Sequence, residues 1–165
     1  MITLVLGGTR SGKSAVAEGI ARDLTNATGA AVTYVATGIA TDDAMAARIA
    51  AHRARRPVGW ATLEIVDTAL MAPMLSSLGG VALLDSLGTW VAAAPDLQVD
   101  AAGLVDALRS RAGDAVVVSE EVGLSVHPGS QAGRQFVDAL GDLNQAVAAA
   151  ADRVLLVVAG RTIEV

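Results

Sequence analysis

Short runs of apolar residues recur along the chain at 2–6, 31–36, 61–66, 80–85, 114–119 and 153–159, each bounded by polar or glycine-rich turns. Such runs, uninterrupted by inside–outside alternation, predict strands buried on both faces, as in a parallel sheet. Residues 161–165 form a candidate last edge strand. Between the strands, residues 13–25, 41–55, 67–78, 100–112 and 131–151 place alanine, leucine and arginine at helical spacing. This alternation predicts a three-layer α/β fold, a mostly parallel sheet with helices on both faces. Residues 93–100, with Pro95 and Asp96, read as a surface linker between packed elements. No composition break divides the 165 residues, so one domain spanning 1–165 is expected.

The first turn of this pattern carries the chemistry. Strand 2–6 leads into Gly7-Gly8-Thr9-Arg10-Ser11-Gly12-Lys13-Ser14 and then a helix, a complete G-x-x-x-x-G-K-[ST] phosphate loop in its proper context. Glycines let backbone N–H groups turn inward on a phosphate, the helix offers its positive end, and a lysine reaches the β- and γ-oxygens. Ser14 is the candidate Mg²⁺ ligand. The bland alternative is a glycine-rich strand-to-helix turn without a ligand. Of the 12 lysines and arginines only Lys13 is a lysine. That spacing points to a nucleoside triphosphate, ATP or GTP, and makes the fold expected here P-loop NTPase-like.

Ligands of open parallel sheets sit at the carboxyl ends of the strands. Strand 80–85 ends in Asp85, a Walker B arrangement in which the carboxylate binds Mg²⁺ or orients an attacking hydroxyl. Asp85 also reads as a helix N-cap before Ser86-Leu87-Gly88. Strand 114–119 ends in Ser119-Glu120-Glu121, acids that suit either an active site or a solvated turn. In helix 41–55, Arg48 and His52 lie at i and i+4, and Arg53, Arg55 and Arg56 follow. Acids at its start and cations at its end also satisfy the helix dipole, so a structural reading of that helix stands beside a functional one.

Composition narrows the partners. The net charge of −5 and the sequence pI near 4.8 argue against a general nucleic-acid surface. The absence of cysteine rules out disulfides and thiolate metal sites, and no apolar run approaches a membrane span. A cytoplasmic protein without nucleic-acid or membrane partners is expected. The mean hydropathy of +0.51 comes from alanine and valine. Aromatics are confined to Tyr34, Trp60, Trp90 and Phe136, so base-stacking platforms are scarce. A guanine-reading Asn-Lys-x-Asp motif is excluded because no second lysine exists.

The phosphate loop, then Tyr34-Val35-Ala36-Thr37, then Asp42-Asp43-x-Met45-Ala46-Ala47-Arg48-Ile49 leading to His52 and Arg56-Pro57, resemble the bifunctional adenosylcobinamide kinase / adenosylcobinamide-phosphate guanylyltransferase family. The resemblance continues through Glu121-Val122-Gly123 and Asn144-Gln145 to Leu156-Val157-Val158-x-Gly160 and covers nearly the whole chain. It implies two reactions at one phosphate loop. A triphosphate first gives its γ-phosphoryl to the hydroxyl of adenosylcobinamide, with Lys13 and Asp85 as catalytic residues. GMP then passes from GTP to the cobinamide phosphate through a histidine, which by motif position is His52. The resemblance further implies nucleotide contacts at Ala36-Thr37-Gly38, at Arg53-Ala54-Arg55-Arg56, at Glu64 and at Asp85, and a homotrimer with a corrinoid substrate.

Three departures stand out. Ala51-His52 replaces the two adjacent histidines of many members, Asp85 stands where relatives can have glutamate, and Glu120 stands where asparagine is common. His127 matches nothing in the pattern and reads as a loop residue. A small-metabolite kinase without guanylylation, and a nucleotide-binding ATPase or switch, are the alternatives, and His52 distinguishes them because neither needs it.

Overall fold

A computed structural model describes residues 1–38, 47, 50, 53, 54 and 56–165. The expected helix at 41–55 lies mostly outside these described residues, as do Arg48, His52 and Arg55. The strands are β1 (Ile2–Gly7), β2 (Val32–Ala36), β3 (Ala61–Glu64), β4 (Val81–Asp85), β5 (Ala115–Glu120), β6 (Arg153–Val158) and β7 (Arg161–Glu164). They form one seven-stranded sheet in the order β3-β2-β4-β5-β1-β6-β7, with β1 to β6 parallel and β7 antiparallel to β6. The β6–β7 turn has positive φ at both Ala159 (50°) and Gly160 (75°), the backbone a two-residue hairpin demands.

Helices are α1 (Lys13–Thr28), α2 (Met71–Ser77), α3 (Leu87–Ala93), α4 (Ala101–Ser110) and α5 (Gln131–Ala148). One sheet face packs against α2 to α5, burying Leu84, Val117, Trp90, Leu104, Leu140 and Val147 among others. The other face meets α1, where Ala17 and Ala21 lie against Val5, Tyr34, Leu83 and Val118. The inner strands β1, β2, β4 and β5 are covered on both sides, which is why their sequences read as unbroken apolar runs, whereas β3 and β7 at the sheet edges are exposed.

Three elements differ from the sequence expectation. The helix expected at 67–78 is a 3₁₀ turn at Thr68–Leu70, capped by Asp67, followed by α2. The expected linker 93–100 contains a second 3₁₀ turn at Pro95–Leu97. Helix α3 follows β4 directly; at seven residues it is too short for its periodicity to show. Its N-cap is Ser86, in a reciprocal capping box with Thr89, so Asp85 is not the cap.

The connections fix where a ligand fits. From β1 the chain passes through α1 on one face, whereas from β5, its neighbour, it passes through α5 on the other. Diverging helices leave a crevice at the carboxyl ends of β1 and β5, the switch point of an open α/β sheet.

Candidate active site

The phosphate loop occupies that crevice. β1 ends at Gly7, and the loop turns through Arg10 (φ 58°) and Gly12 (φ 97°), both left-handed. Arg10 holds this conformation without glycine's freedom, a local strain of the kind that collects at ligand sites. The Ser11 N–H donates to the Gly8 carbonyl at 3.2 Å, closing the turn. From the other side the β6–β7 hairpin buttresses it, with the Gly160 N–H donating to the Ser11 carbonyl at 2.7 Å. Helix α1 has no side-chain cap and no acid in its first turn, whereas Asp100 and Ser130 cap α4 and α5. Its positive end is thus open to an anion.

Lys13 is 5% exposed, and its ammonium donates to the Gly8 carbonyl at 3.4 Å. The carboxylate beside it is that of Glu120, with Nζ to Oε1 at 3.4 Å. Register explains the pairing: Glu120 lies opposite Gly7 on the adjacent strand. Asp85 belongs to β4, one strand further out, and pairs with Val118, two residues short of Glu120. Glu120 is held from the far side as well. Ser86 Oγ donates to its two oxygens at 3.2 and 3.1 Å, and the Gly88 N–H donates to Oε2 at 3.1 Å. Glycine at 88 leaves room for this contact, because a Cβ there would push that same oxygen aside. Glu121, by contrast, accepts from the N–H groups of Gly123 and Leu124 at 2.8 and 3.0 Å and so builds a turn. Of the two adjacent acids, Glu120 belongs to the site.

Asp85 accepts a hydrogen bond from the Tyr34 hydroxyl at 2.8 Å. Burial pushes the Tyr34 hydroxyl well above its usual range; Asp85 adds to the shift and Arg56 opposes it. The phenol therefore remains a donor. The Arg56 guanidinium lies over the Tyr34 ring, 3.3 Å from its centroid. Its Nη1 donates to Thr62 Oγ1 at 3.3 Å, and its Nε is buried without a hydrogen-bond partner among the described residues.

The remaining expected residues divide. Ala36 pairs with both Asp85 and Glu64 across the sheet. Thr37 is buried, and its hydroxyl donates to the Ser86 carbonyl at 2.7 Å while accepting from the Ser86 N–H at 2.9 Å. It braces the residue after Asp85, and the backbone here is paired as well: the Thr37 N–H donates to the Asp85 carbonyl at 3.5 Å and the Ala36 carbonyl accepts from the Ile65 N–H at 2.8 Å. Arg53 and Ala54 are exposed, and Arg53 forms an ion pair with Glu64. Thr9 and Arg10 are exposed at the loop mouth and Ser14 is half-buried on the first turn of α1. His127 is exposed in the loop after β5, as expected.

Among the described residues no group of three or more His, Cys, Asp or Glu could hold a metal. The Ser14 hydroxyl with the Asp85 and Glu120 carboxylates is instead a sparse set of hard oxygens at one sheet edge. That set fits Mg²⁺, which takes one or two carboxylates and completes its shell with substrate phosphates and water.

The fold recurs in solved structures. The flagellar accessory protein FlaH from Methanocaldococcus jannaschii matches 98% of this chain and 74% of its own, with TM-score 0.53 and 13% identity. A KaiC-like protein from Pyrococcus horikoshii matches 94% of this chain and 69% of its own, with TM-score 0.53 and 12% identity. At such identities the likeness speaks to fold alone, that of P-loop NTPases. Sequence relatives say more. The bifunctional adenosylcobalamin biosynthesis protein CobP of Pseudomonas aeruginosa is 40% identical over 97% of this chain and 94% of its own length. The bifunctional adenosylcobalamin biosynthesis protein CobU of Salmonella typhimurium is 36% identical over 97% of each. The sequence profile of cobinamide kinase / cobinamide phosphate guanyltransferase matches residues 3–165. Full-length similarity of this order, on a sheet whose switch point holds a complete phosphate loop, means that the chain belongs to the cobinamide kinase / cobinamide phosphate guanyltransferase family, a family of bifunctional transferases in cobalamin biosynthesis.

Proposed function

We propose that the protein phosphorylates adenosylcobinamide with ATP or GTP and then transfers GMP from GTP to the product through a guanylyl-histidine on His52, giving adenosylcobinamide-GDP. The observation that carries this reading is the seat of Lys13, an ammonium buried at the mouth of an uncapped helix in a chain of this family.

In the first transfer the substrate hydroxyl attacks the γ-phosphorus and the nucleoside diphosphate leaves. Lys13 and the loop N–H groups of residues 7–14 stabilise the charge spread over the transferred group. Asp85, oriented by Tyr34, holds the incoming hydroxyl and takes its proton. Ser14 and Asp85 would hold Mg²⁺, which would supply neutralisation of the negative charge on the phosphate chain. In the second transfer a His52 nitrogen attacks the α-phosphorus of GTP and pyrophosphate leaves. A phosphate oxygen of adenosylcobinamide phosphate then attacks the same phosphorus, the P–N bond breaks, and His52 returns to its free form. Arg53 to Arg56 and Glu64 line the nucleotide on the β2–β3 side, Arg56 by charge-assisted bonds to phosphate oxygens. We assign the protein to the cytoplasm as a homotrimer. No helix among the described residues is long and apolar enough to cross a membrane, which is consistent with that assignment.

The test is covalent labelling. Protein incubated with Mg²⁺ and GTP labelled at the α-phosphorus is expected to retain acid-labile, base-stable label. His52→Ala removes the label while sparing phosphorylation of adenosylcobinamide, and Lys13→Ala removes both activities. A wild-type protein that acquires no label sinks guanylylation and leaves a small-metabolite kinase or a nucleotide-driven switch.

A further inference from the structure

Tyr34 is the only tyrosine in the chain and one of few aromatics, yet the two transfers do not use it directly. It lies in β2 opposite Leu83 of β4, and Asp85 comes two residues later on the same face of that strand. This diagonal relation across neighbouring strands suits a long side chain reaching forward along the sheet. Tyr34 is 3% exposed, in the cluster beneath α1 against which Trp60 also packs. Its hydroxyl ends at Asp85, and its outer face carries Arg56.

We infer that Tyr34 is a positioning residue that fixes Arg56 as a phosphate-binding cation and ties it to Asp85, so that the phenol serves two groups of the site at once. A guanidinium is long and mobile, and its planar face stacks on an aromatic ring while its edge is left for hydrogen bonds. Here one face is used on Tyr34 and one edge on Thr62, and the buried Nε finds no partner among the described residues. A buried donor without a partner signals a missing acceptor. Arg56 immediately precedes the turn Pro57 to Trp60 that leads into β3, so an oxygen-rich anion bound there sits between the β2 strand end and this turn. The ligand class is a phosphate of the nucleotide or of the phosphorylated acceptor. This assignment rests on the function proposed above, and the experiment separates the two.

Binding of GTP in Mg²⁺ is measured by calorimetry for wild type, Tyr34→Phe, Tyr34→Leu, Arg56→Ala, Arg56→Lys and the Tyr34→Leu/Arg56→Ala double variant, with turnover alongside. Tyr34→Leu is expected to weaken binding about tenfold by removing the stack. Arg56→Ala is expected to do the same, and the double variant no more than either. Tyr34→Phe keeps the ring, so binding stays within about twofold of wild type. Turnover falls in that variant because Asp85 has lost its donor. Arg56→Lys keeps the charge but not the planar stack and tracks Arg56→Ala, a readout that survives if Tyr34→Leu fails to fold. Additive losses in the double variant, or an Arg56→Lys protein that binds like wild type, overturn the positioning role. A wild-type protein that binds no GTP overturns the proposed function itself, and this inference with it.

Discussion

The two ends of the parallel sheet carry similar polar groups and put them to opposite uses. At the amino end, the terminal ammonium pairs with Asp114 at 2.9 Å and the Ile2 N–H donates to Asp152 Oδ2 at 2.6 Å. There too the buried Arg111 guanidinium donates to the carbonyls of Asp114, of Gly80 at 3.0 Å and of Leu78 at 3.2 Å. Burial lowers its pKa and Asp114 opposes the shift, but a guanidinium stays charged regardless. Apart from Arg111 Nε, which has no hydrogen-bond partner among the described residues, these groups are consumed by one another. At the carboxyl end the groups are held but not consumed: Lys13 faces a carboxylate and a carbonyl at long range, α1 is uncapped, and Glu120 is gripped from behind by Ser86 and Gly88. A polar network at one end stabilises the fold; at the other it aims charges at a place where a ligand supplies the missing partner.

The largest expected effect that breaks this contrast is at the amino end. Arg111→Met leaves the Leu78 and Gly80 carbonyls without their donor, while that of Asp114 keeps the Ala82 N–H at 2.9 Å, at a cost of about 3 kcal/mol. Chemical denaturation reads it as a lower midpoint at constant slope. Nucleotide turnover per folded molecule is expected to be unchanged. A variant as stable as wild type would mean that water serves those carbonyls equally well.

Gly88→Ala reverses the balance. The added methyl displaces the Glu120 carboxylate and with it the counter-charge of Lys13. Turnover is expected to fall on the order of tenfold, since small displacements of a charged group are costly to catalysis. Stability is expected to stay within about 1 kcal/mol of wild type, because alanine is the better helix former. Unchanged turnover would show that Lys13 is aimed without Glu120.

Much of this architecture is legible in the sequence for a physical reason. Strands buried on both faces must be apolar throughout, and a phosphate loop needs its glycines and lysine at fixed spacing, so β1, β2, β4, β5 and Lys13 are read from local pattern. The order of strands in the sheet has no local signature. Two strands, β4 and β5, end in acids, and only the pairing of β5 with β1 makes Glu120, and not Asp85, the neighbour of Lys13. Helix α3 escapes because two turns show no periodicity, although Ser86 and Thr89 carry a capping signal in their spacing. The link from Tyr34 to Asp85 and Arg56 spans three separate stretches of chain, so nothing in any one of them announces it. His52 remains a reading of the motif, outside the described residues.

The smallest effect sharpens the contrast within the amino end itself. Arg153 and Glu164 join β6 to β7 by two bonds, Nε to Oε1 at 3.1 Å and Nη2 to Oε2 at 3.0 Å, but both side chains are open to solvent. Hydrogen bonding from Arg153, and then its charge, lower the Glu164 carboxyl below 4.5, so the folded state binds that proton less readily than the unfolded state. The pair's contribution is therefore present above the unfolded value and lost as pH falls through the depressed folded value. Solvent and salt screen it, so Glu164→Gln is expected to lower Tm only slightly at pH 7 in low salt. The gap between variant and wild type should narrow as pH falls through the depressed folded value, and also in high salt. Were it to widen as pH falls, the carboxylate would be opposing the fold, and burial would not be what separates Arg111 from Arg153.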